Sequence, residues 1–242
     1  REKLLLSPKN GYTRLSEEDR QEMERYCLGY RAFLDECKTE REATAWVVRK
    51  AQSLGYRPFT PGMPLNPGDK IYYNNRDKSV ALAVIGTEPL SEGVHICAAH
   101  VDSPRLDVKP NPLYEDSEIA YLKTHYYGGI KKYQWPTIPL AIHGVVYRKD
   151  GTVVTVTIGE EEDDPVLMVS DLLIHLAADQ MQKTMAKGIT GEQLNVLLGT
   201  EPIEGEGSDL VKLNVMRWLN EKYGLIEEDF LSAELTVVPA GR

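Results

Sequence analysis

The sequence predicts an α/β protein: a helix-covered mixed sheet, followed by a β-rich unit that carries helices of its own. Three observations carry this. Two capped amphipathic helices open the chain, short and nearly all-apolar runs follow them, and beyond about Val108 the pattern turns to hairpins. Ser16-Glu-Glu-Asp19 reads as a capping box, with a hydroxyl at the N-cap and a carboxylate three residues on. Behind it Met23, Tyr26, Cys27, Tyr30, Phe33, Leu34 and Cys37 recur at steps of three and four, the apolar stripe of a long helix. A second box, Thr39-Glu-Arg-Glu42, opens a helix carrying Ala43, Trp46, Val47 and Leu54 and stopped by Gly55. Residues 57–69, with four prolines and two glycines, must be loop.

Strands are expected at 70–74, 79–86 and 94–100. The last two read Val80-Ala-Leu-Ala-Val-Ile85 and Val94-His-Ile-Cys-Ala-Ala99, the composition of central strands covered on both faces. In the second half, 119–127, 139–148 and 152–159 are β-rich, and Asp150-Gly151 between the last two marks a tight hairpin. The acidic run 160–164 reads as a solvated loop. Residues 171–187 and 208–223 read as helices, the second stopped by Gly224, and 194–198 and 233–238 as strands.

Composition narrows the function. With 28 Lys+Arg against 37 Asp+Glu among 242 residues, the formal charge is −9, and no basic cluster points to nucleic acid. A chain that is 42% hydrophobic and 27% charged is of ordinary globular composition. No apolar run approaches the ~18 residues of a membrane span, so no membrane partner is expected. Cys27, Cys37 and Cys97 are odd in number and not in metal-finger spacing, which predicts reduced thiols and a cytoplasmic protein. The chain opens at Arg1 rather than Met and stops at Arg242 straight after a strand-like run, as a piece of a longer protein would.

Phosphate loops of the Gly-Lys-Ser/Thr type, His-Glu-x-x-His, Cys-x-x-Cys and Gly-x-Ser-x-Gly are all missing, and Gly205-Glu-Gly207 is too acidic and short to cradle phosphate. The histidines remain. In Ala98-Ala-His-Val-Asp-Ser-Pro-Arg105 an apolar strand ends on His100, with Asp102 two residues on and Pro104 forcing a break. Residues two apart on an extended chain share a face, and the sites of open α/β sheets lie beyond such strand ends. His100 is therefore a candidate metal ligand, and Asp102 either the acceptor for its other ring N–H or a ligand itself. A strand-terminal His before a turn-forming Asp-Ser-Pro is the plain alternative. His175, among leucines in an expected helix, reads as a core residue, and His95 and His143 as structural. In His125-Tyr-Tyr-Gly-Gly129 the glycines permit close backbone approach, or simply form a turn or bulge.

Together these segments resemble the aspartyl aminopeptidase family, co-catalytic zinc aminopeptidases that remove N-terminal, typically acidic, residues. The resemblance rests on His-Val-Asp-Ser-Pro-Arg-Leu at 100–106, on Tyr127-Gly-Gly129 with Trp135 beyond, on Ile174-His-Leu176 and on the order of elements. One departure lies after Trp135: the family commonly has an Asp-Arg pair there, and this chain reads Pro136-Thr-Ile-Pro139. The resemblance implies that 1–107 begin an incomplete catalytic α/β domain, 108–231 form an inserted dimerisation domain, and 232–242 return to the catalytic domain. By it, His100 ligates one of two zinc ions, Asp102 supports that imidazole, and His175 reaches into the partner's active site of a homo-oligomer. The family's bridging Asp, its Glu pair and its remaining ligands come later than Arg242, so the fragment alone is expected to be inactive. The competing reading is a non-catalytic homo-oligomerisation module.

Overall fold

The structure is a computed structural model and describes residues 4–241; residues 1–3 and 242, which the outer domain spans include, lie outside it. Both helix starts form as the caps predict. Helix α1 (Glu17–Glu36) begins with Ser16 Oγ accepting from the Asp19 N–H at 3.1 Å, while the Asp19 carboxylate accepts from the Ser16 N–H at 3.0 Å. Helix α2 (Glu40–Ser53) has the same box between Thr39 and Glu42. The stripe of α1 is another matter. None of its residues is buried; Phe33 lies edge-on to Trp46 of α2 at 4.9 Å between ring centroids, and Glu36 pairs with Arg49 of α2.

Next come β1 (Arg57–Pro58), β2 (Lys70–Asn75) and β3 (Ser79–Val84), a three-stranded mixed sheet in which β1 runs parallel and β3 antiparallel to β2. Three expectations need correction here: Arg57–Pro58, at the head of the expected loop, pair with β2, and two apolar runs are not central strands. β3 is an edge strand whose residues are exposed apart from half-buried Val80, and 94–100 form no strand and are exposed throughout. The apolar runs are those of central strands, but among the described residues nothing pairs with the outer side of β3 or covers 94–100. Periodicity reports that a run can be buried, not that its cover lies in the same chain.

The remaining strands are β4 (Arg105–Asp116), β5 (Ile119–Tyr127), β6 (Leu140–Tyr147), β7 (Val153–Ile158), β8 (Val196–Gly199) and β9 (Ala233–Pro239). They form one antiparallel sheet in the order β7-β6-β9-β4-β5-β8. β4 was not foreseen: Pro110 and Pro112 fall where its register against β5 jumps between Val108 and Leu113, a bulge that removes the alternation a strand shows. The sheet has a continuous core of its own, including Leu106, Leu122, Leu140, Ile142, Val156 and Val237. The division expected at 107/108 and at 232 does not separate the two sheets, because the first cut passes through β4 and β9 pairs with β4 and β6 inside the second sheet.

The expected helix at 171–187 is broken. It consists of a 3₁₀ turn at Ile174–Leu176 and two single turns, α3 (Ala178–Met181) and α4 (Met185–Gly188). Helices are held mainly by a packed apolar face, and only Ala177 of this stretch is buried. Helix α5 (Leu210–Tyr223) forms as expected, buries Val211, Val215 and Leu219, and ends on Gly224 at φ 66°. Among the described residues no helix is long and apolar enough to cross a membrane.

Candidate functional site

The His100 segment leads straight into β4. The His100 Nδ1 lies 2.7 Å from the backbone carbonyl oxygen of Asp102. A carbonyl only accepts, so Nδ1 carries the proton and Nε2 keeps its lone pair in the neutral ring. The Asp102 carboxylate stands further off, at 3.4 Å from Nδ1, and instead accepts the Tyr127 hydroxyl at 2.8 Å. His100 thus meets the backbone carbonyl of Asp102 more closely than the carboxylate that the sequence suggests as its acceptor. The Tyr127 hydroxyl, joined by Asp102's own amide and by His100, holds the Asp102 carboxyl below the usual carboxylate range. The same bond raises the Tyr127 phenol.

Tyr127 ends β5 opposite Arg105, the first residue of β4, and Gly128 turns the chain away at φ 78°. The Arg105 guanidinium sits over the Tyr127 ring, 4.2 Å from its centroid. It is almost fully buried, donates to Asp107 at 2.8 Å, and reaches Glu40 at the start of α2 at 3.3–3.4 Å. Lys78 and Arg41 both pair with Glu234 on β9 alongside. The two sheets therefore meet across a nest of paired charges.

A second cluster lies at the same junction. His143 on β6 contacts Glu42 on α2 through Nδ1 at 2.7 Å and Glu160 through Nε2 at 3.0 Å. Lys38 pairs with Glu160 as well and donates to the Gly241 carbonyl at 2.8 Å. Burial alone would lower the His143 imidazolium, but the two carboxylates outweigh it and hold it above its usual range. The acidic run is correspondingly not all solvated, since Asp164 at its other end is buried against Lys222. His143 is structural, as expected. His95 is exposed on the irregular segment, and His125 is exposed and stacked on Tyr126.

His175 is not a core residue. It sits in the 3₁₀ turn, exposed, between Leu172, Leu173, Ile174 and Leu176, each at least half exposed. No hydrogen bond or ion pair among the described residues joins it to His100 or Asp102. The metal donors are equally sparse. Zinc takes three or four protein ligands, and among the described residues no group of three or more His, Cys, Asp and Glu is arranged to hold a metal ion. His100, with one ring nitrogen committed and its side chain 81% exposed, fits one ligand's share of such a site.

Against this geometry the comparisons are specific. The family model described as aminopeptidase I zinc metalloprotease (M18) matches residues 33–242. The chain belongs to the M18 family. A probable M18 family aminopeptidase 1 from Clostridium acetobutylicum is 51% identical over 246 residues, covering 99% of this chain and 52% of its own length. The crystal structure of the M18 aminopeptidase from Thermotoga maritima matches with a TM-score of 0.88 at 41% identity, covering 97% of this chain and 51% of that one. Aminopeptidase I from Borrelia burgdorferi matches with a TM-score of 0.85 at 42% identity, covering 96% and 53%. The chain spans about half the length of the M18 relatives it matches. Sequence reasoning did not find roles for Tyr127, Arg105 or Glu40. Arg105 and Tyr127 belong to the 100–106 and 127–129 motifs, yet only the β4–β5 register brings them together.

Proposed function

We propose that this chain is the N-terminal portion of an M18 zinc aminopeptidase of the cytoplasm, which removes N-terminal residues, acidic by preference, from peptides. The observation that carries the reading is the fixed His100 tautomer. With the Nδ1 proton held by the Asp102 carbonyl, Nε2 is left as a ligand, in a chain whose family is a zinc metalloprotease family. His100 is the metal ligand this chain contributes, to a site of two zinc ions, and Asp102 holds its ring. Bound zinc would supply Lewis acidity toward the scissile carbonyl and water. The other ligands and the general base would come from the remaining half of the relatives' length, whose strands would also pair with β3 and cover 94–100. The acidic preference rests on the family resemblance.

The proposed dimerisation domain is 108–231, which supplies most of the six-stranded unit. That unit has its own core, and it carries the exposed apolar turn around His175 as a surface for a second copy. A distant solved structure of this fold, yeast mApe1, at 15% identity and a TM-score of 0.64, is described as a dodecamer. In such an assembly His175 would enter the partner's site, where an imidazole N–H stabilises a developing oxyanion. The test is turnover of Asp- and Glu-derived aminoacyl substrates with added zinc, by the 242-residue chain and by the protein completed to the relatives' length. Turnover by the completed protein alone is expected. Turnover by neither would favour the homo-oligomerisation module.

A further inference from the structure

Residues 94–104 have no strand partner, and they make no backbone hydrogen bond to any other element among the described residues. Yet His100 and Asp102 lie on this segment, and a ligand must be held in place to bind metal well. The hydrogen-bond pattern leaves one tie. The Tyr127 hydroxyl, donating to Asp102 Oδ2 at 2.8 Å, is the single hydrogen bond from 94–104 to another element among the described residues.

Tyr127 is itself held from below. Its hydroxyl is on the outside, its ring carries the Arg105 guanidinium at 4.2 Å, and Arg105 is locked by Asp107 at 2.8 Å and by Glu40. An arginine suits this place because a guanidinium can lie over a ring while its N–H donors reach carboxylates. The order is therefore Glu40 and Asp107, then Arg105, then the Tyr127 ring, then the Asp102 carboxylate. From there the Asp102 backbone carbonyl takes the His100 Nδ1–H. A ring present only for packing would not need its hydroxyl on Asp102, nor a buried cation under its face.

We infer that Tyr127 and Arg105 are positioning residues for His100: the buried Arg105 aims the Tyr127 hydroxyl at Asp102, and Asp102 so anchored selects the His100 tautomer that leaves Nε2 free. This rests on the reading of His100 as a metal ligand and assigns that ligand its support.

Two readouts test it. In the 242-residue chain, long-range ¹⁵N–¹H spectra at a pH where His100 is neutral report which ring nitrogen carries the proton. In the protein completed to the relatives' length, competition against a chelator reports zinc affinity. Tyr127→Phe removes the hydroxyl and keeps the ring that Arg105 stacks on, so the fold and the melting temperature should stay as they are. The variant is expected to lose the preference for Nδ1–H, and zinc should bind about 10-fold more weakly, the lower end for a group behind a ligand. Arg105→Lys keeps the charge without the planar face and should shift the tautomer in the same direction. An unchanged tautomer balance in Tyr127→Phe overturns the inference, as does a shifted balance with unchanged zinc affinity. If His100→Ala keeps its zinc, what fails is the ligand reading itself, whatever Tyr127 does.

Discussion

Replacing His143 by Ala should cost stability in a way that depends on pH. Its side chain is 7% exposed, and both ring nitrogens face carboxylate oxygens, of Glu42 at 2.7 Å and Glu160 at 3.0 Å. Ionised carboxylates only accept, so both nitrogens carry protons and the ring is an imidazolium. Each charge-assisted bond is worth about 1.5–3 kcal/mol net. Neither carboxylate is stranded by the substitution, because Glu42 still accepts from the Lys38 and Thr39 amides and Glu160 from Lys38 and the Gly241 amide. The larger penalty for an orphaned buried charge does not arise, and a loss of about 3–6 kcal/mol near pH 6, the two bonds together, is expected. The His143 pKa is raised above its ordinary 6.5, so its contribution is complete below that value and disappears as pH rises through the folded pKa. Glu42 and Glu160 are lowered from 4.5 despite burial, so their contributions are present above that value and are lost as pH falls through their folded pKa values. The gap between wild type and variant should be widest from about pH 4.5 to 6.5 and should narrow in alkali. Urea unfolding followed by circular dichroism at a series of pH values measures it. A gap of the same size at pH 6 and pH 9 would refute the imidazolium clamp.

Gly144→Ala should be among the most destabilising single changes. An added Cβ would lie 2.0 Å from the Glu234 carbonyl oxygen at the β6–β9 crossing, with φ at 153°, so the strands must part at a cost of about 3 kcal/mol or more; an unchanged melting temperature would show that the two backbones do not approach so closely. For His175, mixing completed subunits that carry His175→Ala with subunits that carry His100→Ala should restore activity, because one site of the heterodimer then carries neither lesion. If subunit exchange is shown and no activity returns, His175 does not act across the interface.

Local chemistry was legible in the sequence, and long-range pairing was not. The capping boxes at Ser16 and Thr39, the Asp150-Gly151 hairpin and the Gly224 stop are each set by residues within a turn of one another, and each forms as read. The bulged β4 escaped because its prolines break the alternation that marks a strand. The 171–187 helix failed because its apolar residues have no core to face. At the site, His100 and Asp102 are close because they are two residues apart. Tyr127 is 25 residues from Asp102, and Glu40 is 65 from Arg105. Those partners are set by the register of β4 on β5 and by where α2 docks, which no local pattern states. The exposed β3 and 94–100 mark where reading one chain ends: their composition asks for neighbours beyond the described residues.

In the function proposed above, this chain contributes one zinc ligand, His100, to a site that the rest of the relatives' length completes, and equilibrium dialysis against zinc distinguishes this from a self-contained site. The 242-residue chain should retain little zinc at concentrations that load the protein completed to the relatives' length, and His100→Ala in that longer protein should lose zinc and turnover together. Tight, stoichiometric zinc on the chain alone, or a completed His100→Ala protein that keeps its metal, would show that His100 is not a ligand of a shared site.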